Sequence, residues 1–213
     1  AEANLKISEL DLIVFYDKPF LKFERLLETY HAFAPTGFVS FVRSMPLWIK
    51  EKIFMKNLLK KNLSLIDNDS SILPPITFTE HHLSHMASAF YPSPFSKSAI
   101  LTVDGVGEWA TTTVGYGEGN NIKIIKEMHF PHSIGLLYSA FTYYCGFRVN
   151  SGEYKLMGLA PYGHKGSDQV EEIKRKILNN IVDIKADGSI FLNMDFFDFA
   201  TGLKMINENK WQN

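Results

Sequence analysis

The chain has 213 residues, enough for one domain with a substantial core or two small ones. A formal net charge of −1 argues against a general nucleic-acid binder, and 46% hydrophobic residues are ordinary for a globular protein. The single cysteine, Cys145, excludes an intrachain disulfide and a cysteine-rich metal site, and it fits a reducing, cytoplasmic setting. The uncharged stretch 128–147 contains Pro131 and many polar groups, so we do not interpret it as a membrane span.

The first third of the chain predicts a strand followed by two helices. Residues 11–16 form a short apolar run typical of a strand, and 20–33 place aromatic and leucine side chains at helical spacing. Residues 46–63 predict an amphipathic helix with Pro46 in its first turn. Its lysines could contact a membrane surface or an anionic partner, but we favour lysines that solvate the outer face of a docked helix. A polar loop is predicted at 67–75.

Three histidines lie at the start of the next predicted helix, after a short strand at 76–79. At about 100° per residue, His85 lies about 40° from His81, and His82 lies on the flank, about 100° away. The opposite face is apolar and contains Leu83, Met86, Ala87 and Phe90. Imidazoles four residues apart can converge on one metal ion, so His81 and His85 are candidate ligands. The alternative is that these are core histidines satisfied by backbone carbonyls.

A buried strand at 99–103 is predicted to end at Asp104-Gly105-Val106-Gly107-Glu108. Gly105 and Gly107 would allow a ligand to approach the backbone N–H groups closely. The Asp104 carboxylate could hold a ribose hydroxyl, a water or a metal-bound group. An ordinary turn explains the same residues.

Two strands at 109–117 and 122–129 are predicted to form a hairpin, because the residues between them favour a turn. A helix follows with Ser133 as its N-cap. Its apolar residues fall at helical spacing, which predicts that Cys145 packs against the rest of the domain.

The last part of the chain begins with a small and apolar segment at 150–163 that predicts loop and turn. Glu153 and Lys155 are its charged pair, and either they serve a site or they cap local structure. A helix at 168–180 and a hairpin at 182–192 about Asp187-Gly188 complete the pattern.

Four motifs follow one another along the chain. They are E-H-H-L-S-H-M-A-S-A-F-Y-P-S-P-F, L-T-V-D-G-V-G-E-W-A-T-T, H-F-P-H-S-I-G-L-L-Y-S-A-F-T-Y-Y-C-G-F and N-S-G-E-Y-K-L-M-G-L-A-P-Y-G. In this order they resemble the nodulation-type O-carbamoyltransferases, with which the enzymes that carbamoylate aminoglycoside and cephalosporin antibiotics belong. The resemblance runs from about Asp11 to Asn213. The His-x-x-x-His element is also shared with the tRNA threonylcarbamoylation proteins and the hydrogenase-maturation carbamoyltransferase.

The resemblance implies an α/β domain of the actin/sugar-kinase type, with a ribonuclease-H-like sheet. It implies that carbamoyl phosphate and ATP give carbamoyl-adenylate, whose carbamoyl group passes to a hydroxyl of a small molecule. His81 and His85 would hold Fe(II) or another divalent metal, and Asp104 would be catalytic, against the nucleotide or the acceptor. The implied cofactor-binding residues are Gly105, Gly107, Glu153 and Lys155. The resemblance allows a homodimer and implies neither a nucleic-acid nor a membrane partner.

Proteins of this family are longer, so we expect residues 1–213 to be a single partial domain, incomplete at both ends. It would be the N-terminal half of the metal-binding domain. The adenylate-forming domain and an aspartate ligand of the metal would lie beyond Asn213, and the fragment would be inactive alone. Two alternatives are a sugar-kinase-like phosphotransferase and a catalytically idle binding or scaffold domain of the same fold.

Overall fold

A computed structural model describes residues 5–66 and 73–212 as a mixed α/β chain, as predicted. The α-helices in these ranges are α1 (Pro19–Ala32), α2 (Phe38–Trp48), α3 (Met55–Ile66), α4 (His81–Phe90), α5 (Ile134–Tyr144), α6 (Glu153–Leu159), α7 (Asp168–Lys176) and α8 (Glu208–Trp211). The strands are β1 (Ile13–Phe15), β2 (Ile76–Phe78), β3 (Lys97–Val103), β4 (Ala110–Glu118), β5 (Asn121–His129), β6 (Val182–Ile184) and β7 (Ile190–Leu192). The sugar-kinase type of this arrangement stays a prediction.

The strands form three small sheets. β1 and β2 pair in parallel, and each leads directly into a helix, α1 or α4. β3, β4 and β5 form an antiparallel sheet in that order, and β6 and β7 form an antiparallel hairpin. The two hairpins predicted from their turn residues are confirmed. Gly119 and Gly188 take positive φ values of 57° and 84° in these turns, which favours glycine there.

Helix α4 packs against the β3–β5 sheet and is held there by two large side chains. Met86 and Phe90 are buried and form a core cluster with Ile100 of β3. Two glycines of β4 make room for them: a Cβ at Gly115 would lie 2.6 Å from Met86 Cε, and one at Gly117 would lie 2.8 Å from the Phe90 ring. The close contact fixes the height of α4 above the sheet, and with it the position of the histidines.

We expect Gly115→Ala to destabilise the protein by about 1–3 kcal/mol, because the new methyl group would also lie 2.7 Å from the backbone oxygen of Lys123, which cannot move aside. Chemical denaturation measures this free energy of unfolding. Gly158→Ala in α6 is the matched control, since its Cβ would enter open space. Equal stability of the two variants would show that α4 does not need the glycine.

A second core lies between α5 and the C-terminal hairpin. Ala140 packs there with side chains from β6 and β7 and with Phe197 and Ile206. Leu192 of β7 donates its backbone N–H to Nδ1 of His132, which ties the hairpin to the residues before α5. This core packs against α5. Helix α5 in turn contacts the loop after β3.

Four local predictions were wrong. The strand predicted to be buried at 99–103 is exposed on one face, where Leu101 and Val103 are 67% and 48% exposed. The helix predicted at 46–63 begins at Phe38 instead, contains Pro46, and is interrupted by a π-helical turn at Ile49–Ile53 before α3. Proline favours a first turn but does not require one, and Pro46 lacks only a single N–H donor within α2. The segment predicted as loop at 150–163 contains α6, and Cys145 is exposed because α5 ends at Tyr144.

Lys50, Lys56, Lys60 and Lys61 of the second helical segment face solvent, as predicted, and Lys52 is partly exposed. The docking of this segment is not borne out, because Leu47, Phe54 and Leu58 on its apolar side are exposed as well. Most of the loop predicted at 67–75 lies outside the described residues. Within them, no helix is both long enough and apolar enough to cross a membrane.

Candidate metal centre

His81 and His85 lie at the start of α4, on the side of the helix that faces away from Met86. β2 ends at Phe78, and after Thr79 and Glu80 the helix begins with His81 itself. The Nε2 atoms of His81 and His85 lie 3.1 Å apart, with the two rings nearly perpendicular at 86°. The His81 side chain is mostly buried, whereas that of His85 is half exposed. The i, i+4 spacing therefore brings the two imidazoles together, as the helical angle predicted.

Asp104 joins them from the loop after β3. Its Oδ2 lies 2.8 Å from Nε2 of His81 and 3.8 Å from Nε2 of His85. The backbone of Asp104 is held by its N–H, which donates to Thr111, and by its carbonyl, which accepts from the Ser133 hydroxyl. Asp104 is thus a possible third donor within the chain, and an aspartate ligand beyond Asn213 stays a prediction. Sequence spacing gave no sign that the loop folds back over the first turn of α4.

These three atoms form a triangle that fits a metal ion. Ligand bonds of 2.0–2.2 Å place neighbouring ligands about 3.0–3.5 Å apart, and the edges of 2.8, 3.1 and 3.8 Å span that range. A neutral imidazole nitrogen carries either one hydrogen or one lone pair, so Nε2 of His81 cannot satisfy both Asp104 and His85. A cation inside the triangle would satisfy all three. Two imidazoles and one carboxylate suit Fe(II) or Zn²⁺.

The His81 hydrogen bond holds the pKa of Asp104 well below its ordinary range, and the Gly105 N–H lowers it further against the opposing effect of burial. The carboxylate is therefore charged at neutral pH. Such a group is a good metal ligand and a weak general base, because it has little tendency to take up a proton. One buried atom of the site has no hydrogen-bond partner among the described residues: Nδ1 of His81.

His82 is structural rather than part of this triangle, and it is buried, not on the flank of the helix as predicted. Its Nδ1 lies 2.6 Å from the Thr102 hydroxyl, and its Nε2 lies 2.9 Å from the Ala110 carbonyl oxygen. Burial lowers the pKa of His82. Its neutral ring bridges β3 and β4 and continues the line of Met86 and Phe90 along α4. The spacing angle missed this because the packing face of α4, formed by His82, Met86 and Phe90, is rotated by about 50° from the centre of the apolar stripe towards His82.

The two predicted cofactor-binding glycines use their N–H groups within the loop. Gly105 donates to Oδ1 of Asp104, and Gly107 donates to the carbonyl of Ala110. A Cβ at Gly107 would lie 3.1 Å from Cβ of His81 and 3.0 Å from the His82 ring, so this glycine allows the loop to pack directly on the histidines. Their contact with a cofactor stays a prediction, and bound phosphate would have to replace these internal partners.

Glu153 and Lys155 lie in α6, and their described side-chain contacts are with neighbours in sequence and with Ser139 on α5. The Glu153 carboxylate accepts hydrogen bonds from the N–H groups of Asn150 and Gly152 and from the hydroxyl of Ser139. The Lys155 ammonium is exposed and lies 5.9 Å from the Tyr154 ring centroid. This supports the interpretation that Glu153 organises the start of α6, and a role for the pair in cofactor binding stays a prediction.

Sequence reasoning missed a buried group of charged side chains beside the site. Glu108 and Arg25 are 7% and 8% exposed, and Asp17 is fully buried and paired with Lys22 at 2.6 Å. Burial lowers the pKa of Arg25 to about 10, and the nearby Glu108 carboxylate partly offsets this. The only signal in the sequence was an acidic residue just after the glycine loop, and nothing there indicated which backbone groups it would bind.

The sequence of the chain matches the family described as Carbamoyltransferase N-terminus over residues 1–212. The chain belongs to this family. Among its relatives, the carbamoyltransferase-family chain is 57% identical over 208 residues to the uncharacterized protein sll1178 of Synechocystis sp., covering 97% of the chain and 33% of that protein. It is 35% identical over 164 residues to Nodulation protein NolNO of Sinorhizobium fredii, covering 76% of the chain and 22% of that protein.

The predicted family membership is thus confirmed. The carbamoyltransferase-family chain spans about one third of the length of sll1178 and less of NolNO. The activity, substrates and partners of a whole protein of this family are therefore matters for proposal.

Proposed function

We propose that this chain is the metal-binding part of an O-carbamoyltransferase that moves a carbamoyl group from carbamoyl-adenylate to a hydroxyl of a small molecule. Carbamoyl phosphate and ATP would supply the adenylate. The observation that carries the proposal is the convergence of His81, His85 and Asp104 on one point, in a chain of the carbamoyltransferase family. The fold would be of the actin/sugar-kinase type.

The three side chains would hold Fe(II) or another divalent ion, and the ion would supply Lewis-acid stabilisation to the phosphate of the adenylate. His85, half exposed, leaves the outer side of the triangle open to a ligand. His81, mostly buried, fixes the inner side. Asp104 contributes a negative charge that is present throughout the neutral pH range, which favours binding of a cation.

The same geometry revises the role expected for Asp104. A carboxylate that accepts from His81 and Gly105 has both oxygens engaged, so it is better suited to holding the metal than to removing a proton from the acceptor hydroxyl. We therefore propose Asp104 as the third metal ligand rather than the catalytic base. The acceptor's proton would leave through another group or through solvent.

The two alternative functions make different demands on the site. A sugar-kinase-like phosphotransferase needs an aspartate and a glycine loop but has no use for paired imidazoles. A catalytically idle domain has no need of a charged carboxylate held against two histidines. The donor triangle favours the transferase over both, because two imidazoles and a carboxylate within bonding distance of one point form a metal site that neither alternative requires.

Binding of a hydrolysis-resistant carbamoyl-adenylate analogue to the 213-residue chain tests the proposal. We expect calorimetry to show one divalent ion per chain and analogue binding that depends on it. The His81→Ala/His85→Ala variant should bind neither, and His129→Ala, on the exposed surface of β5, is the matched control. Analogue binding that is equally strong without metal, or its absence from the metal-loaded chain, would contradict the proposal. Phosphate transfer from Mg²⁺–ATP to a sugar would favour the kinase.

A further inference from the structure

Glu108 lies at the end of the glycine loop and contacts two helix starts. Its carboxylate accepts a hydrogen bond of 2.7 Å from the backbone N–H of Lys18 and bonds of 3.1 and 3.2 Å from that of His81. We propose that Glu108 is a positioning residue of the metal site, which locks the first turn of α4 to the loop that carries Asp104. This inference rests on the proposed metal-binding function.

The loop that carries Asp104 and Glu108 is fixed to the β3–β5 sheet. Asp104 and Gly107 donate their N–H groups to Thr111 and Ala110 at the start of β4. The hydroxyl of Ser133, itself the N-cap of α5, shares its single hydrogen between the carbonyls of Asp104 and Gly105, at 3.0 and 2.7 Å. Glu108 therefore projects from a segment whose backbone has little freedom, and it can act as a fixed point for what it binds.

The first residues of α4 need an acceptor. The N–H groups of the first turn have no partner within a helix, and α4 receives no capping bond from the side chain of Glu80, which precedes it. Glu108 supplies the missing acceptor to His81, and its charge is favourable at the positive end of the helix. The same carboxylate holds Lys18, which precedes α1, so both helices that follow the parallel strands are tied to it.

Positioning matters here because the donors come from separate elements. His81 begins α4 and Asp104 follows β3, and their atoms lie 2.8 Å apart although they are 23 positions apart in sequence. A metal site tolerates deviations of only about 0.2 Å in its ligand distances. His82 holds the side chains of the first turn to β3 and β4, and Met86 and Phe90 hold the far end of α4. Glu108 adds the contact to the backbone N–H of His81, so without it the distance between His81 and Asp104 would be less tightly fixed.

Metal affinity of Glu108 variants of the 213-residue chain tests this. With Co²⁺ as the probe, monitored by its visible absorption, we expect Glu108→Ala to raise the Kd about 10–100-fold, the range typical of outer-shell partners. Glu108→Gln keeps the length of the side chain and should show a smaller loss. Glu108→Asp keeps the charge but is one methylene shorter, so it should behave like alanine. Glu80→Gln is the control and should leave the Kd unchanged, because the one side-chain partner of that exposed carboxylate among the described residues is the Lys18 ammonium.

The pattern of Kd values separates the explanations. Folded variants that bind Co²⁺ as the wild type does would show that Glu108 is merely structural, and would overturn the proposal. Recovery by aspartate but not glutamine would show an effect of charge alone, and would overturn it too. If the wild type binds no Co²⁺, the proposed metal-binding function is contradicted, and the inference about Glu108 is overturned with it.

If the Glu108 variants fail to fold, a measurement on the unaltered chain can still test the proposal. If the Glu108 hydrogen bonds favour metal binding, metal must strengthen them in return. Hydrogen exchange should therefore slow at the amides of Lys18 and His81 on saturation with Co²⁺. Unchanged exchange at both amides, with Co²⁺ bound, would overturn the proposal.

Discussion

Asp104→Asn is expected to weaken divalent-metal binding at least about 100-fold while leaving the fold intact. The amide oxygen of asparagine can still accept from Gly105, and its nitrogen can donate to Nε2 of His81, so the local hydrogen bonds survive. What is lost is the negative charge and one metal-binding oxygen. Calorimetric titration gives the Kd, and the thermal midpoint without metal should stay within a few degrees of the wild type.

Asp183→Asn is the matched control, since this exposed carboxylate on β6 pairs with the exposed Lys185, far from the histidines in sequence. Its Kd should equal that of the wild type. A full-affinity Asp104→Asn variant would remove Asp104 from the metal site and would restore the expectation of a third ligand elsewhere. A strongly lowered midpoint would instead assign Asp104 a structural role.

Arg25→Ala is expected to lower the free energy of unfolding by about 3–5 kcal/mol, a large fraction of the total for a domain of this size. The guanidinium is buried, lies 5.2 Å from the Phe130 ring centroid, and provides positive charge near the Glu108 carboxylate. Its removal leaves a cavity and a buried carboxylate with less compensating charge. Chemical denaturation measures the change.

Arg43→Ala on the exposed side of α2 is the control and should change stability by less than about 0.5 kcal/mol. Arg25→Lys should recover part of the loss, because it restores the charge without the planar group that covers Phe130. If Arg25→Ala is as stable as Arg43→Ala, the buried guanidinium contributes no net stability. The cost of burying its Nη1 atom, which has no hydrogen-bond partner among the described residues, would then offset its favourable contacts.

Elements with a strong local signal could be predicted from the sequence. The hairpin of β4 and β5 follows from alternation and a glycine-containing turn, and Ser133 caps α5 as predicted, accepting from the N–H of Leu136. Helix α6 could not be predicted in this way. Its start is stabilised by the Glu153 carboxylate with a contribution from Ser139 on α5, a tertiary contact that no local pattern reveals.

The candidate site likewise has one part that local sequence predicts and another that depends on tertiary contacts. The meeting of His81 and His85 depends only on helical spacing, so the sequence was enough. The approach of Asp104 depends on Gly107, which lets the loop lie against the histidine rings, and on Ser133, which holds the loop carbonyls from another helix. Glu108 depends on backbone groups 27 and 90 positions away, and such long-range partners cannot be deduced from one sequence.

His81 and Asp104 are 23 positions apart in sequence but in contact in space. A cation held by both would act as a removable cross-link, closing the α4–β3 segment into a ring as a disulfide does. Unlike a disulfide, this link forms and breaks with the supply of metal, and its contribution to stability grows with the logarithm of the free-metal concentration above the Kd. Tyr91 and Phe95, whose side chains are exposed, belong to the segment that the metal would close. Resistance of this segment to proteases would therefore report how much metal the surrounding solution provides.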